Sequence, residues 1–125
     1  MEPRVTHKDI TLGETTYRIK KMDPRGACWL FASLAAKAPD GKGLLSALGY
    51  LSHSEFDDVQ ATVLSFVSSL SPVDGLPAAI FFPDGKWADK SLSEDAGSVF
   101  TLTSEAILFN CSPFLVGSKS SEQQG

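Results

Sequence analysis

Two cysteines and two histidines are the residues of this chain best suited to covalent chemistry. A cysteine nucleophile needs a base such as histidine within hydrogen-bond reach, which makes Cys28 with His7 or His53 the pair to consider. Cys28, however, stands beside Trp29 in an apolar helical segment, where a small half-buried thiol is the usual role. We therefore predict that the chain is not an enzyme and has no catalytic residue.

Metal and nucleotide sites find equally little support. Cys28 and Cys111 lack the CxxC spacing of thiolate metal sites, and the carboxylates of Glu55, Asp57 and Asp58 with two histidines do not form a converging ligand set. The sequence contains neither a GxxxxGK[ST] nor a GxGxxG phosphate-binding loop. We predict no metal and no cofactor.

The length of 125 residues and the hydrophobic fraction of 42% fit one globular domain. A net charge of −4 disfavours nonspecific nucleic-acid binding, and the mild cluster of Arg18, Lys20, Lys21 and Arg25 is typical of a solvated strand face. A polar N-terminus without a signal sequence and the lack of an apolar run of ~20 residues predict a cytoplasmic protein without a membrane partner.

The first regular element is a predicted β-hairpin over residues 8–22. Ile10 and Leu12 alternate with polar residues, Gly13 supplies the turn, and Tyr17 and Ile19 alternate with polar residues in the return strand. One face of the hairpin is therefore apolar and needs a partner to cover it.

A helix follows the hairpin directly. Asp23 is a suitable N-cap and Pro24 suits the first helical position, so we expect a helix that ends near residue 37 or 38. Trp29, Leu30 and Leu34 fall on one stripe, which we expect to face the core.

The middle of the chain predicts further helices. Residues 44–51 suit a short helix, and Ser54 is the expected N-cap of a third helix whose apolar periodicity continues from Phe56 to Leu70. Residues 78–82 fit either a short strand or an apolar segment lying over the helices, and this alternative stays open.

The C-terminal part predicts two more helices, one over residues 92–100 and one capped by Thr103. The fold class is therefore α+β and mostly α-helical, with an N-terminal antiparallel β-hairpin followed by a compact bundle of about four to five short helices. We place one domain at residues 1–116 and expect a disordered polar tail at residues 117–125.

Aromatic residues late in the chain are candidates for a binding surface. Adjacent Phe81 and Phe82 would point to opposite faces of a strand, so that one of them stays exposed. Phe109, Phe114 and Leu115 lie near the polar tail, and exposed apolar groups on a soluble protein indicate a partner surface. These five residues are the predicted partner-binding residues.

Two segments carry a resemblance to a known family. The first, ITLGETTYRIKKMDPRGACWLFASLA, and the second, LTSEAILFNCSPFL, together resemble the tail assembly chaperones of long-tailed bacteriophages. The matching positions of the first segment are Ile10, Gly13, Tyr17, Ile19, Lys21, Pro24 and Trp29. Those of the second are Leu102, Ala106, Asn110, Pro113 and Phe114. The single Phe114 followed by Leu115 departs from the paired aromatic ending of the family.

The resemblance implies a phage or prophage protein of the host bacterial cytoplasm. Such chaperones bind the long helical tape measure protein, keep it soluble, and leave as tail tube subunits polymerise around it, so they are absent from the mature virion. Contact with the tail tube protein and self-association stay open. The alternative is another phage tail structural or adaptor protein that is retained in the virion.

Overall fold

The computed structural model describes the backbone of residues 6–38 and 43–124, and the side chains of residues 6–38 and 43–114. Its elements confirm the α+β class, and helices comprise 51% of the chain. The strands are β1 (His7–Leu12), β2 (Thr15–Lys20), β3 (Val67–Leu70) and β4 (Pro77–Ala79). The helices are α1 (Pro24–Ala35), a 3₁₀ helix (Leu44–Tyr50), α2 (His53–Leu64), α3 (Lys90–Ser93) and α4 (Ala96–Gln124).

The hairpin forms the first half of an antiparallel sheet with the strand order β1-β2-β3-β4. Gly13 has a φ of 63°, a conformation that glycine adopts at little cost, and Leu12 faces Thr15 across the turn. Tyr17 and Ile19 point into the core, as the alternation predicts. The opposite face is polar, and there Arg18 donates to both carboxylate oxygens of Asp9 at 2.9 and 3.0 Å.

Helix α1 starts as its sequence predicts. The Asp23 carboxylate accepts the backbone N–H of Arg25, and Leu30 and Leu34 are completely buried. The expectation that Trp29 faces the core is wrong, because its side chain is 43% exposed. A helix turns about 100° per residue, so the neighbour of a central core residue such as Leu30 is carried to the edge of the buried stripe.

Helix α2 begins and ends elsewhere than the pattern predicts. Its N-cap is Ser52 rather than Ser54, and Ser52 and Glu55 form a reciprocal capping box. The helix stops at Leu64, and Val67 starts a strand. The strand pairs with β2, where Val67 lies opposite Ile19, so tertiary pairing overrides the helical periodicity of this segment.

The last third of the chain differs from the two short helices expected there. Thr103 does not cap a helix but lies buried inside α4, where its hydroxyl donates to the Val99 carbonyl oxygen at 2.8 Å. Helices α1 and α2 both pack against α4, which also contacts β2. The central position of α4 makes it the element around which the core is built. The domain limit at residue 116 and the disordered tail at residues 117–125 stay predictions.

Candidate partner-binding surface

Three of the five predicted partner-binding residues line two separate cavities, and Phe109 lines neither of them. Phe81 and Phe82 line a cavity of about 320 Å³ beside β3 and β4, together with Leu64 and Val67. Phe114 lines a second cavity between α1 and α4. The side chain of Leu115 lies outside the described residues.

At the first cavity, Phe81 and Phe82 differ in exposure, as expected for adjacent residues of an extended segment. Phe81 is half-buried and packs on Trp87 with ring centroids 4.7 Å apart, whereas Phe82 is 56% exposed. Within residues 78–82 the strand extends only to Ala79, and Phe81 forms a separate antiparallel bridge with Trp87 outside the sheet strands. A turn at Pro83 and Asp84, closed by the Gly85 N–H donating to the Phe82 carbonyl oxygen at 2.9 Å, completes this loop.

The second cavity, which we call the α1–α4 groove, has a volume of about 220 Å³. Its lining residues are Lys21, Met22, Pro24, Ala27, Cys28, Asn110, Pro113 and Phe114. Most of these side chains are apolar. The Phe114 ring stacks on Phe31 with centroids 4.6 Å apart, so Phe114 both lines the groove and holds α4 against α1.

Asn110 joins the two walls of the groove. Its buried side-chain oxygen accepts the backbone N–H of Met22 at 2.6 Å, and its amide nitrogen donates to the carbonyl oxygens of Ala106 at 3.0 Å and Lys20 at 3.5 Å. The residues between β2 and α1 are therefore fixed to the middle of α4. An unpaired buried backbone N–H costs ~1–3 kcal/mol, so the side chain of Asn110 stabilises the groove by accepting the hydrogen bond from Met22.

Lys21 donates a hydrogen bond to a backbone carbonyl oxygen that Pro113 leaves without its helical donor. Proline has no N–H to donate to the carbonyl oxygen of Phe109, four residues earlier in α4. That oxygen instead accepts from Lys21 Nζ at 3.2 Å and from Ser112 Oγ at 3.0 Å. The same ammonium lies 4.5 Å from the centroid of the Phe109 ring, so Phe109 serves as a partner of Lys21 at the edge of the groove.

The two cysteines differ in environment. Cys28 lies in the wall of the groove and is exposed, which corrects the expectation of a half-buried thiol. Cys111 is buried, and burial raises the pKa of its thiol to about 11. Among the described residues, no three histidine, cysteine or acidic side chains lie close enough together to hold a metal ion.

The sequence predicts Phe114 as a binding residue but does not indicate the groove residues on the other wall. Met22, Pro24 and Ala27 carry no reactive group, and the thiol of Cys28 suggests only a nucleophile. The available signal was the pair of segments that carry the family resemblance, since Lys21 and Pro24 belong to the first segment and Asn110 and Pro113 to the second. The groove lies where these segments meet.

No helix in the described part of the chain combines the length and apolarity needed to cross a membrane. Comparison of the chain with protein-family models, curated proteins and solved structures returned no match. The resemblance drawn from the two segments therefore stays a prediction.

Proposed function

We propose that this chain is a phage or prophage tail assembly chaperone that binds the tape measure protein in the host bacterial cytoplasm. The observation that carries the proposal is the meeting of the two resembling segments at one apolar groove. Lys21 and Pro24 lie more than eighty residues before Asn110 and Pro113 in the sequence, yet all four line the same cavity.

The groove suits an apolar side chain of a partner helix. A tape measure protein presents long apolar helical stripes, and such stripes are commonly bound by insertion into a groove between helices. Met22, Ala27 and Phe114 offer apolar walls, and the hydrogen bond from the Met22 N–H to Asn110 fixes how closely the two walls approach. The net charge of −4 favours solubility of the chaperone itself.

In this proposal the chain acts without catalysis. It keeps the tape measure protein soluble and gives way to the tail tube protein as the tube grows. Binding and release need only a complementary surface of moderate affinity, because the tail tube must be able to displace the chaperone.

Co-expression with the neighbouring tape measure protein tests the proposal. We expect the wild-type chain to keep that protein in the soluble fraction and to co-purify with it. Cys28→Arg should reduce the co-purified amount by about tenfold or more, because a charge enters an apolar site. Cys28 is exposed, so we expect the circular dichroism spectrum and Tm to stay unchanged.

Thr101→Arg is the matched control, since it adds the same charge at an exposed position in the N-terminal half of α4, away from the groove. The control should bind like the wild type. An equal loss of co-purified tape measure protein in both variants, or no loss in either, would show that the groove is not the binding site. A tape measure protein whose solubility is independent of the wild-type chain would refute the function itself.

A further inference from the structure

A third pocket lies between α1 and α2 and differs from the α1–α4 groove in chemical character. We call it the Trp29 pocket. Its volume is about 220 Å³, far more than the ~30 Å³ of one water molecule. It is lined by Trp29, Ser33, Leu51, Glu55, Asp58 and Val59.

The indole of Trp29 gives this pocket an aromatic wall. Although α1 has an apolar core face, this largest of its side chains remains 43% exposed. The face of an indole is electron-rich and attracts an ammonium or guanidinium group more strongly than any other side-chain ring does. An exposed tryptophan in a cavity is therefore suited to a cation with an apolar stem.

Two carboxylates form the opposite wall. Glu55 and Asp58 lie three residues apart on α2 and so share one side of that helix. The backbone N–H of Ser52 donates to Glu55 at 2.8 Å and lowers the pKa of that carboxyl.

The chain already places one cation near this wall. Lys37 Nζ lies 3.7 Å from a carboxylate oxygen of Glu55, and both side chains are more than 40% exposed. An exposed pair at this distance is held weakly and exchanges readily with another cation. The contact thus indicates which kind of group the pocket attracts.

We infer that the Trp29 pocket binds an arginine or lysine side chain of the partner helix whose apolar stripe enters the α1–α4 groove. Cys28 of the groove and Trp29 of the pocket are both exposed on α1, so a helix that lies across the exposed face of α1 would contact both sites. The stem of the basic residue would pack on Leu51 and Val59, with its charge between the indole and the carboxylates. This inference rests on the proposed function for the identity of the helix.

Two synthetic helical peptides without tryptophan test the pocket. They share one apolar stripe and differ at a single flanking position, which is arginine in one and its neutral isostere citrulline in the other. Calorimetry should show about fivefold tighter binding of the arginine peptide, and the indole N–H resonance of Trp29 should shift with it. N-acetyl-arginine amide, titrated alone, should shift the same resonance without any helix.

Asp58→Lys and Asp57→Lys form a matched pair, because adjacent exposed carboxylates of one helical turn undergo the same charge reversal and only Asp58 lines the pocket. Asp58→Lys should abolish the preference for arginine over citrulline, whereas Asp57→Lys should retain it. Lys37→Gln should strengthen binding of the arginine peptide, because it removes the competing ammonium from Glu55.

Equal affinity of the wild-type chain for both peptides, or an equal loss of preference in the two aspartate variants, would overturn the inference. No shift of Trp29 with N-acetyl-arginine amide would do the same. These outcomes are separate from failure of the function. The wild-type chain could fail to bind the tape measure protein and still show an Asp58-dependent shift of its Trp29 resonance with the amide. That result would support the pocket and contradict the chaperone role.

Discussion

At the scale of single residues, the side chains that shape the groove do so by satisfying backbone groups. Asn110 accepts the N–H of Met22 where β2 passes into α1, and Lys21 donates to the Phe109 oxygen that Pro113 leaves without a helical donor. Buried polar groups are costly unless they are paired, so each of these residues specifies a particular approach of α4 to the start of α1. These contacts hold the proposed binding surface in shape.

The pairing of Lys21 with the proline defect predicts a thermodynamic coupling. Lys21→Met keeps the aliphatic stem but removes the donor, and we expect the free energy of unfolding to fall by about 1–2 kcal/mol. Pro113→Ala supplies a backbone N–H to Phe109, so Lys21→Met should cost about 1 kcal/mol less in that background. Urea denaturation of the four proteins of this cycle measures the coupling.

Lys20→Met is the control for that cycle, because Lys20 is the exposed neighbour of Lys21 and the substitution is the same. It should change stability little in either background. Strictly additive effects of Lys21→Met and Pro113→Ala would show that the ammonium does not compensate for the missing N–H.

At the scale of elements, the turn of the β1–β2 hairpin depends on backbone conformation rather than on space. A Cβ added at Gly13 would have no heavy atom within 4 Å outside the two adjacent residues, but the φ of 63° is unfavourable for alanine. We expect Gly13→Ala to lower the free energy of unfolding by about 1 kcal/mol, and thermal unfolding followed by circular dichroism measures this.

Gly49 is the natural comparison, since it also has open space around its Cα but lies in the 3₁₀ helix without a positive φ. Gly49→Ala should leave stability unchanged or raise it by about 0.5 kcal/mol, because alanine restricts the unfolded chain. Equal loss in both variants would mean that a contact, rather than the left-handed conformation, controls the hairpin turn.

Elements that local chemistry determines were predictable, and those determined by distant partners were not. The turn at Gly13 and the cap at Asp23 depend on residues adjacent in sequence, and both are present. Val67 continues the apolar period of α2, and only its pairing with Ile19 of β2 makes it part of a strand. The groove is nonlocal in the same way, because nothing near Phe114 in sequence indicates that Phe31 stacks on it.

At the scale of the whole molecule, the two proposed contacts give the chain one binding face that spans α1. The groove accepts apolar groups on the α4 side, and the Trp29 pocket carries negative charge on the α2 side. A helix that covers both sites would have its apolar stripe enclosed on that side. Under the proposed function, the tail tube encloses the same stripe in the finished particle, so the chain and the tube would compete for it.

This competition predicts where the chain is found after assembly. Mass spectrometry of particles purified from the host should find the chain well below one copy per virion, with the tail tube protein as internal standard, while lysates taken during assembly contain both. A stoichiometric amount in purified virions would favour a retained tail structural or adaptor protein instead.

The groove variant Cys28→Arg separates the two roles further. A chaperone defect leaves the tape measure protein insoluble before any tube forms, whereas an adaptor defect leaves a soluble tape measure protein and incomplete particles.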